Sequence, residues 1–303
     1  MNLYFLSTLV ESHFKKSIEP ISKNITYITR PSKLSDVSEL KEDDEKIIVI
    51  DPDFVEWEVT RSDLESIKNL KAVLVSSTSF SWVDQSFLNE NNIPLINVKD
   101  WCTQAVAEYA TTMALNLARK IPLLIQNNFE LDYAKYCGVE LKNKTAGIIG
   151  IGNIGNAIAE KAKGLGMNII YWSKNSKTDI AKYIELEELF KTSDFIFPTM
   201  ADNSETKKII TDEFIKSMKQ SSYFISIVHR YYNHNLLIEM TKENKISGYG
   251  FEDNELKMKD LNGNIWVAPE YAWCTKESFE TNDRKLLENI KMALSGDYSN
   301  RVN

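Results

Sequence analysis

The run Gly150-Ile151-Gly152-Asn153-Ile154-Gly155 has the residue types and spacing best suited to chemistry in this chain. It follows the apolar run Thr145–Ile149 and precedes a helix-like stretch at 156–163. In a strand-turn-helix setting each glycine has a task. The first permits the tight turn, the second lets the backbone approach a pyrophosphate, and the third lets helix and strand pack closely. Free N–H groups at the helix start then face the anion. Gly150, Gly152, Asn153, Ile154 and Gly155 are therefore candidate cofactor ligands. About twenty residues further on, NAD-selective sites place an Asp or Glu on the ribose hydroxyls. Here Ile170-Tyr171-Trp172-Ser173-Lys174-Asn175 offers no carboxylate. Ser173 can hydrogen-bond a 2′-phosphate and Lys174 can supply positive charge, which points to NADP, with NAD as the alternative.

The elements that must position these residues form two series. In the N-terminal third, β-type runs at 3–6, 25–29, 47–50, 72–76 and 94–98 alternate with helical periods such as 61–70 and 84–91. That rhythm predicts a parallel sheet covered by helices. From 103 to 120 there is no Gly or Pro, and Val106, Tyr109, Ala110, Met113 and Leu117 recur at helical spacing, so one long helix leads into the second series. Six strand-like runs follow, at Thr145–Ile149, Asn168–Trp172, 194–198, 223–228, 246–251 and Ile265–Ala268. These fit a doubly wound dinucleotide fold, and a last helix follows at Lys276–Leu294. The fold class is α/β, with two Rossmann-like or flavodoxin-like domains, parallel sheets flanked by helices and a cleft between them. The expected division is a flavodoxin-like substrate domain at 1–99 completed by 274–303, and a dinucleotide-binding domain at 100–273.

Composition narrows the functional classes. The 303 residues are 43% hydrophobic and 26% charged with net charge -7, the balance of a folded chain without a basic stripe for nucleic acid. No apolar run spans a bilayer and the first ten residues lack the marks of a secretory signal, so a cytoplasmic location is expected. Cys102, Cys137 and Cys274 have no C-x-x-C spacing and read as reduced thiols, with neither a disulfide framework nor a metal site. The histidines are His13, His229 and His234, and His234 reads as a surface residue at a helix start.

The segment from Glu140-Leu141-Lys142-Asn143-Lys144-Thr145 through Gly155 resembles the opening of the cofactor domain of the D-2-hydroxyacid dehydrogenases, the family of glycerate, lactate and phosphoglycerate dehydrogenases. Ala105-Val106-Ala107-Glu108-Tyr109 through Arg119 is similar to that family's interdomain helix, and Ser77-Thr78-Ser79-Phe80-Ser81-Trp82-Val83-Asp84 to its substrate loop. The resemblance runs from about 72 to 275. It implies hydride transfer between a nicotinamide and a small 2-oxo or 2-hydroxy acid in a homodimer. It also implies cofactor contacts at Thr199, Val228 and Glu252, and substrate contacts at Thr78 and Ser79.

Family members use an Arg for the substrate carboxylate, a His as acid/base and a Glu that orients the His, and the resemblance breaks at all three. The Arg-Gly pair is matched by His229-Arg230, the Pro-His pair by Pro269-Glu270, and the orienting Glu by Lys257, with Glu255 the nearest carboxylate. No histidine follows position 234. Two readings stay open. In one, His229 is the acid/base, Glu270 orients it and Arg230 or the Thr78-Ser79 backbone holds a carboxylate, on a substrate class that includes an amine-bearing acid favoured by Glu270. In the other, the chain is a catalytically inactive cofactor-binding protein with a sensing or interaction role, and Glu270 pairs with Lys257.

Overall fold

A computed structural model describes residues 1–8, 12–30, 33–201, 205–227 and 231–303, without the side chains of residues 12 and 13. The chain forms two compact units, Met1–Cys102 with Thr275–Asn303, and Thr103–Cys274. In chain order the first carries β1 (Asn2–Leu6), α1 (Ser12–Ile18), β2 (Ile25–Ile28), β3 (Lys46–Ile50), α2 (Arg61–Glu65), β4 (Leu70–Val75), α3 (Gln85–Glu90) and β5 (Leu95–Ile96). The second begins with α4 (Thr103–Ala118), α5 (Ile121–Gln126), α6 (Tyr133–Tyr136), β6 (Thr145–Ile149), α7 (Asn153–Gly164), β7 (Asn168–Trp172) and β8 (Lys182–Tyr183). It continues through α8 (Leu186–Thr192), β9 (Phe195–Pro198), α9 (Asp212–Lys216), β10 (Tyr223–Ser226), α10 (His234–Lys242), β11 (Gly248–Glu252) and β12 (Ile265–Ala268). The chain then returns to the first unit as α11 (Lys276–Leu294).

The first unit's sheet is parallel in the order β2-β1-β3-β4-β5. Alternation along β3 divides the core. Ile47 and Val49 join Leu3, Phe5 and Leu74 under Leu286, Ile290 and Ala293 of α11, while Ile48 and Ile50 join Val73 and Leu88 on the other face. Two amides pin α11 to this sheet, with Asn282 Nδ2 donating to the Ser76 carbonyl at 2.8 Å and Asn289 Nδ2 to that of Asn97 at 3.1 Å.

The second unit's sheet is parallel in the order β12-β11-β10-β9-β6-β7-β8, with the topological switch between β6 and β9. Met113 and Leu117 of α4 and Ile158 of α7 cover one face over Ile148, while Phe190, Leu237 and Ile215 cover the other over Ile149, Ile196 and Phe224. Ligands of such sheets bind outside the carboxyl ends of the strands at the switch, which is where the glycine loop lies.

Two expectations need correction. The helix anticipated over 61–70 stops at Glu65, where Ser66 turns its N–H onto the Asp63 and Leu64 carbonyls, and Leu70 already opens β4. The cofactor-side sheet has seven strands and not six, because the two-residue β8 pairs Lys182 with Ile170 at the edge.

Candidate functional site

The glycine loop has the geometry a phosphate cradle requires. Gly150 takes φ +97°, in the left-handed region that favours glycine, and its N–H donates to the Trp172 carbonyl at 2.8 Å. At Gly155 a Cβ would collide with the Gly150 carbonyl oxygen and lie 2.8 Å from Thr199 Oγ1, so α7 can approach β6 this closely only without a side chain. Gly152 is different. Among the described residues, no heavy atom beyond its chain neighbours and its own helix backbone lies within 4 Å of where its Cβ would be, and it precedes α7 as an N-cap with no side-chain cap bond. The backbone is thus open at the position where a pyrophosphate would approach, and the residues present fit a dinucleotide. Thr199 anchors the loop from β9, its hydroxyl donating to the Gly150 carbonyl and its N–H to the Ile149 carbonyl at 2.8 Å. Asn156 Nδ2 donates to the Ile151 and Gly152 carbonyls, both at 3.1 Å.

At the end of β7, Ser173 Oγ accepts from the Ser176 N–H at 3.3 Å, which leaves its hydroxyl proton for another partner. Lys174 Nζ lies 2.6 Å from Glu205 Oε2, and both side chains are exposed. The lysine holds the Glu205 carboxyl below the usual range.

Two carboxylates come together at the ends of β11 and β12. Glu252 Oε1 accepts from the N–H groups of Tyr271 and Ala272, each at 2.8 Å, and so fixes the turn that follows Glu270. Burial pushes the Glu252 carboxyl up and the nearby Glu270 charge adds to this, against the two amides that favour the ionised form. Glu270 is exposed and clasped by Asn254, whose Nδ2 donates to Glu270 Oε2 at 3.3 Å and whose Oδ1 accepts from the Glu270 N–H at 3.1 Å. Neither Lys257 nor Glu255 is the partner of this carboxylate among the described residues. Beside them the Tyr109 ring meets Tyr271 edge-on at 5.1 Å, and the Tyr109 hydroxyl accepts from Trp266 Nε1 at 3.4 Å. Burial raises the Tyr109 phenol far above its ordinary value, so it stays protonated. Val228, His229 and Arg230 lie outside the described residues.

In the first unit, the loop after β4 turns its carbonyls inward. The Thr78 carbonyl accepts from Asn97 Nδ2 at 2.6 Å, and the Ser79 carbonyl from Ser77 Oγ at 2.6 Å and Trp82 Nε1 at 2.9 Å. The Thr78 hydroxyl donates to the Val98 carbonyl at 3.0 Å. No acceptor among the described residues takes the Thr78 or Ser79 N–H, so both donors remain available.

Other titratable groups are structural. Lys46 is fully buried, yet its ammonium is satisfied by the Glu42 carbonyl at 2.6 Å, the Asp44 carbonyl at 3.0 Å and the Asp44 carboxylate. His234 does begin α10, but it is half-buried and not a surface residue. Its Nδ1 meets the Tyr249 hydroxyl at 2.8 Å and its ring packs edge-on to Phe251 at 4.4 Å. Burial pushes the Cys102 thiol up to about 11, which removes the thiolate needed for nucleophilic chemistry. Among the described residues no acidic, His or Cys cluster could hold a metal ion, and no helix is long and apolar enough to cross a membrane.

Residues 111–269 match the family profile described as "D-isomer specific 2-hydroxyacid dehydrogenase, NAD binding domain". The chain belongs to this family. A Staphylococcus saprophyticus protein named "Putative 2-hydroxyacid dehydrogenase" is 30% identical over 263 residues, covering 79% of this chain and 80% of that one. A Staphylococcus aureus protein of the same name is 28% identical over 260 residues, with the same shares covered. Among solved structures, an acyclic imino acid reductase in complex with NADPH and D-Arg matches with TM-score 0.86 and 25% identity over 100% of both chains. A glyoxylate reductase from Paecilomyes thermophila matches with TM-score 0.87 and 19% identity over 100% of this chain and 98% of that one, a likeness of fold. This 2-hydroxyacid dehydrogenase fold thus carries an NAD(P)-binding domain, and the family's members are oxidoreductases.

Two residues of this dehydrogenase-family site escape sequence reasoning. Glu205 stands 31 positions from Lys174, and Asn254 stands 16 from Glu270. No motif signals either pairing.

Proposed function

We propose that this chain is an NADPH-linked reductase of a small 2-oxo acid in its imine form, yielding an amino acid. The observation that carries this reading is the pair of carboxylates, Glu252 and Glu270, at neighbouring strand ends where a carbonyl reductase of this family would present a histidine. A carbonyl needs a proton donor as its oxygen becomes an alkoxide. An iminium arrives already protonated and cationic, so it needs a counter-charge and no acid. Glu270 supplies that charge. NADPH, when bound, supplies the hydride to the imine carbon, and the π electrons settle on nitrogen. Support also comes from the likeness to a structure that holds NADPH and D-Arg.

The remaining roles follow sequence position. Gly150, Gly152, Asn153, Ile154, Gly155, Thr199, Val228 and Glu252 serve the cofactor, Ser173 and Lys174 its 2′-phosphate, and either Arg230 or the N–H groups of Thr78 and Ser79 the substrate carboxylate. The second unit is then the cofactor domain and the first the substrate domain. His229 is retained as the acid/base for any reaction on an uncondensed 2-oxo acid, with Glu270 orienting it. The chain works in the cytoplasm as a homodimer, which the exposed Phe129, Leu131 and Tyr133 beside α5 and α6 support.

Steady-state NADPH oxidation across a panel of 2-oxo acids, with and without methylamine, tests this reading. Expected are faster turnover with the amine present and a loss of about 10²-fold or more in Glu270→Gln. His229→Asn should impair only the amine-free reaction. Equal rates with and without amine, with Glu270→Gln unimpaired, would overturn the imine reading. NADPH binding with no turnover in the whole panel would return the chain to the non-catalytic reading.

A further inference from the structure

The contact between Lys174 and Glu205 changes how the ribose end of the cofactor is read. Lys174 follows β7 and Glu205 follows β9, and these strands flank β6 on either side. The 2.6 Å pair therefore reaches across the carboxyl end of the strand that bears the glycine loop. The carboxylate missing from the end of β7, where Rossmann sites usually hold the ribose, is brought back by the segment that follows β9.

We infer that Glu205 is a cofactor-discriminating residue, accepting from the ribose hydroxyls of NADH and opposing the 2′-phosphate of NADPH that Lys174 attracts. Exposed ion pairs are weak and exchange readily, so a phosphate dianion can take Lys174 from Glu205. The carboxylate then remains within a few ångströms of the phosphate, and like charges at that range lower affinity even in water. With NADH the same carboxylate gains a hydroxyl donor, as an acidic residue at the end of β7 would elsewhere. Ser173 serves either cofactor, since its hydroxyl already accepts from Ser176 and can still donate. The result is a site that tolerates both cofactors, with a narrower NADPH preference than Ser173 and Lys174 alone would produce.

This inference rests on the end of β7 being the ribose site. It is tested by equilibrium fluorescence titration of NADPH and NADH against wild type, Glu205→Gln, Lys174→Gln and the double variant. Both side chains are on the surface, so all four proteins should fold, and matched melting curves check this. Glu205→Gln is expected to tighten NADPH about fivefold while leaving NADH unchanged or weaker. Lys174→Gln is expected to weaken NADPH about tenfold and to leave NADH within about twofold. The double variant should bind NADPH more tightly than Lys174→Gln, since the opposing charge is gone. If Glu205→Gln moves both cofactors by one common factor, or moves neither, the inference is wrong. A wild type that binds NADH as tightly as NADPH instead counts against the NADPH reading, and the response to Glu205→Gln still decides the role of Glu205.

Discussion

Gly155 sits so close beneath Gly150 that a methyl group at residue 155 would overlap the Gly150 carbonyl oxygen. The same methyl would lie 2.8 Å from Thr199 Oγ1, whose hydroxyl donates to that carbonyl. Gly155→Ala should therefore push α7 off β6 and cost about 1–3 kcal/mol of stability, the range for overpacked cores. Gly152→Ala meets no atom of the described residues beyond its chain neighbours and its own helix backbone within 4 Å and keeps a negative φ, so it should leave the melting temperature almost unchanged. It should nonetheless weaken cofactor binding at least about tenfold, because the methyl fills the space a pyrophosphate needs. Melting curves and cofactor titrations on the two variants separate the effects. Equal destabilisation by both would show that the loop is merely structural.

The Ser173 hydroxyl and the Lys174 ammonium stand at the end of β7, where the strand's own sequence supplies no carboxylate. Ser173→Asp places one there, beside any 2′-phosphate and within reach of the ribose hydroxyls. NADPH affinity should fall about tenfold or more and NADH affinity should rise, reversing the preference. Fluorescence titration with both reduced cofactors reads the ratio directly. An unchanged ratio would move the ribose site elsewhere.

What was legible in the sequence follows the range of the forces involved. The bounds of β6, β7, β12 and α11 coincide with their apolar or periodic runs, because buried parallel strands and an amphipathic helix write their packing into consecutive residues. The early end of α2 depends on how Ser66 bonds backward, and β8 is two exposed residues at an edge, too short for any period. His234 reads in the sequence as a surface residue at a helix start, yet Tyr249 and Phe251 of β11 receive its ring. The glycine loop was readable for the same local reason as β6. Glu205 and Asn254 were not, since each acts on a residue brought near only by the sheet.

Glu252 gives the turn after β12 a dependence on pH. Burial raises its carboxyl above the ordinary value, so its contribution to stability is fully present below the unfolded pKa and is lost as pH rises through the folded one. Glu252→Gln keeps an oxygen for the Tyr271 and Ala272 amides and cannot ionise. The variant should gain on wild type as pH rises from about 4 to about 7. Thermal melts of both proteins across that interval check the sign. Parallel curves would mean that Glu252 titrates alike in the folded and unfolded chain.

Phe129, Leu131 and Tyr133 are exposed at 66%, 59% and 82%, three large apolar side chains within five residues that run from the connection after α5 to the first residue of α6. A monomer rarely leaves such a patch in water, whereas a dimer contact removes it. Sedimentation of the wild type should give a homodimer. Phe129→Asp with Leu131→Asp should give monomers, and their far-UV circular dichroism should match wild type because neither side chain is part of a core. Burying charges in a symmetric contact is opposed twice, once on each subunit, so the dissociation constant should rise by at least about 10²-fold. A wild type that sediments as a monomer, or a double variant that stays dimeric at micromolar concentration, would place the assembly surface elsewhere or remove it.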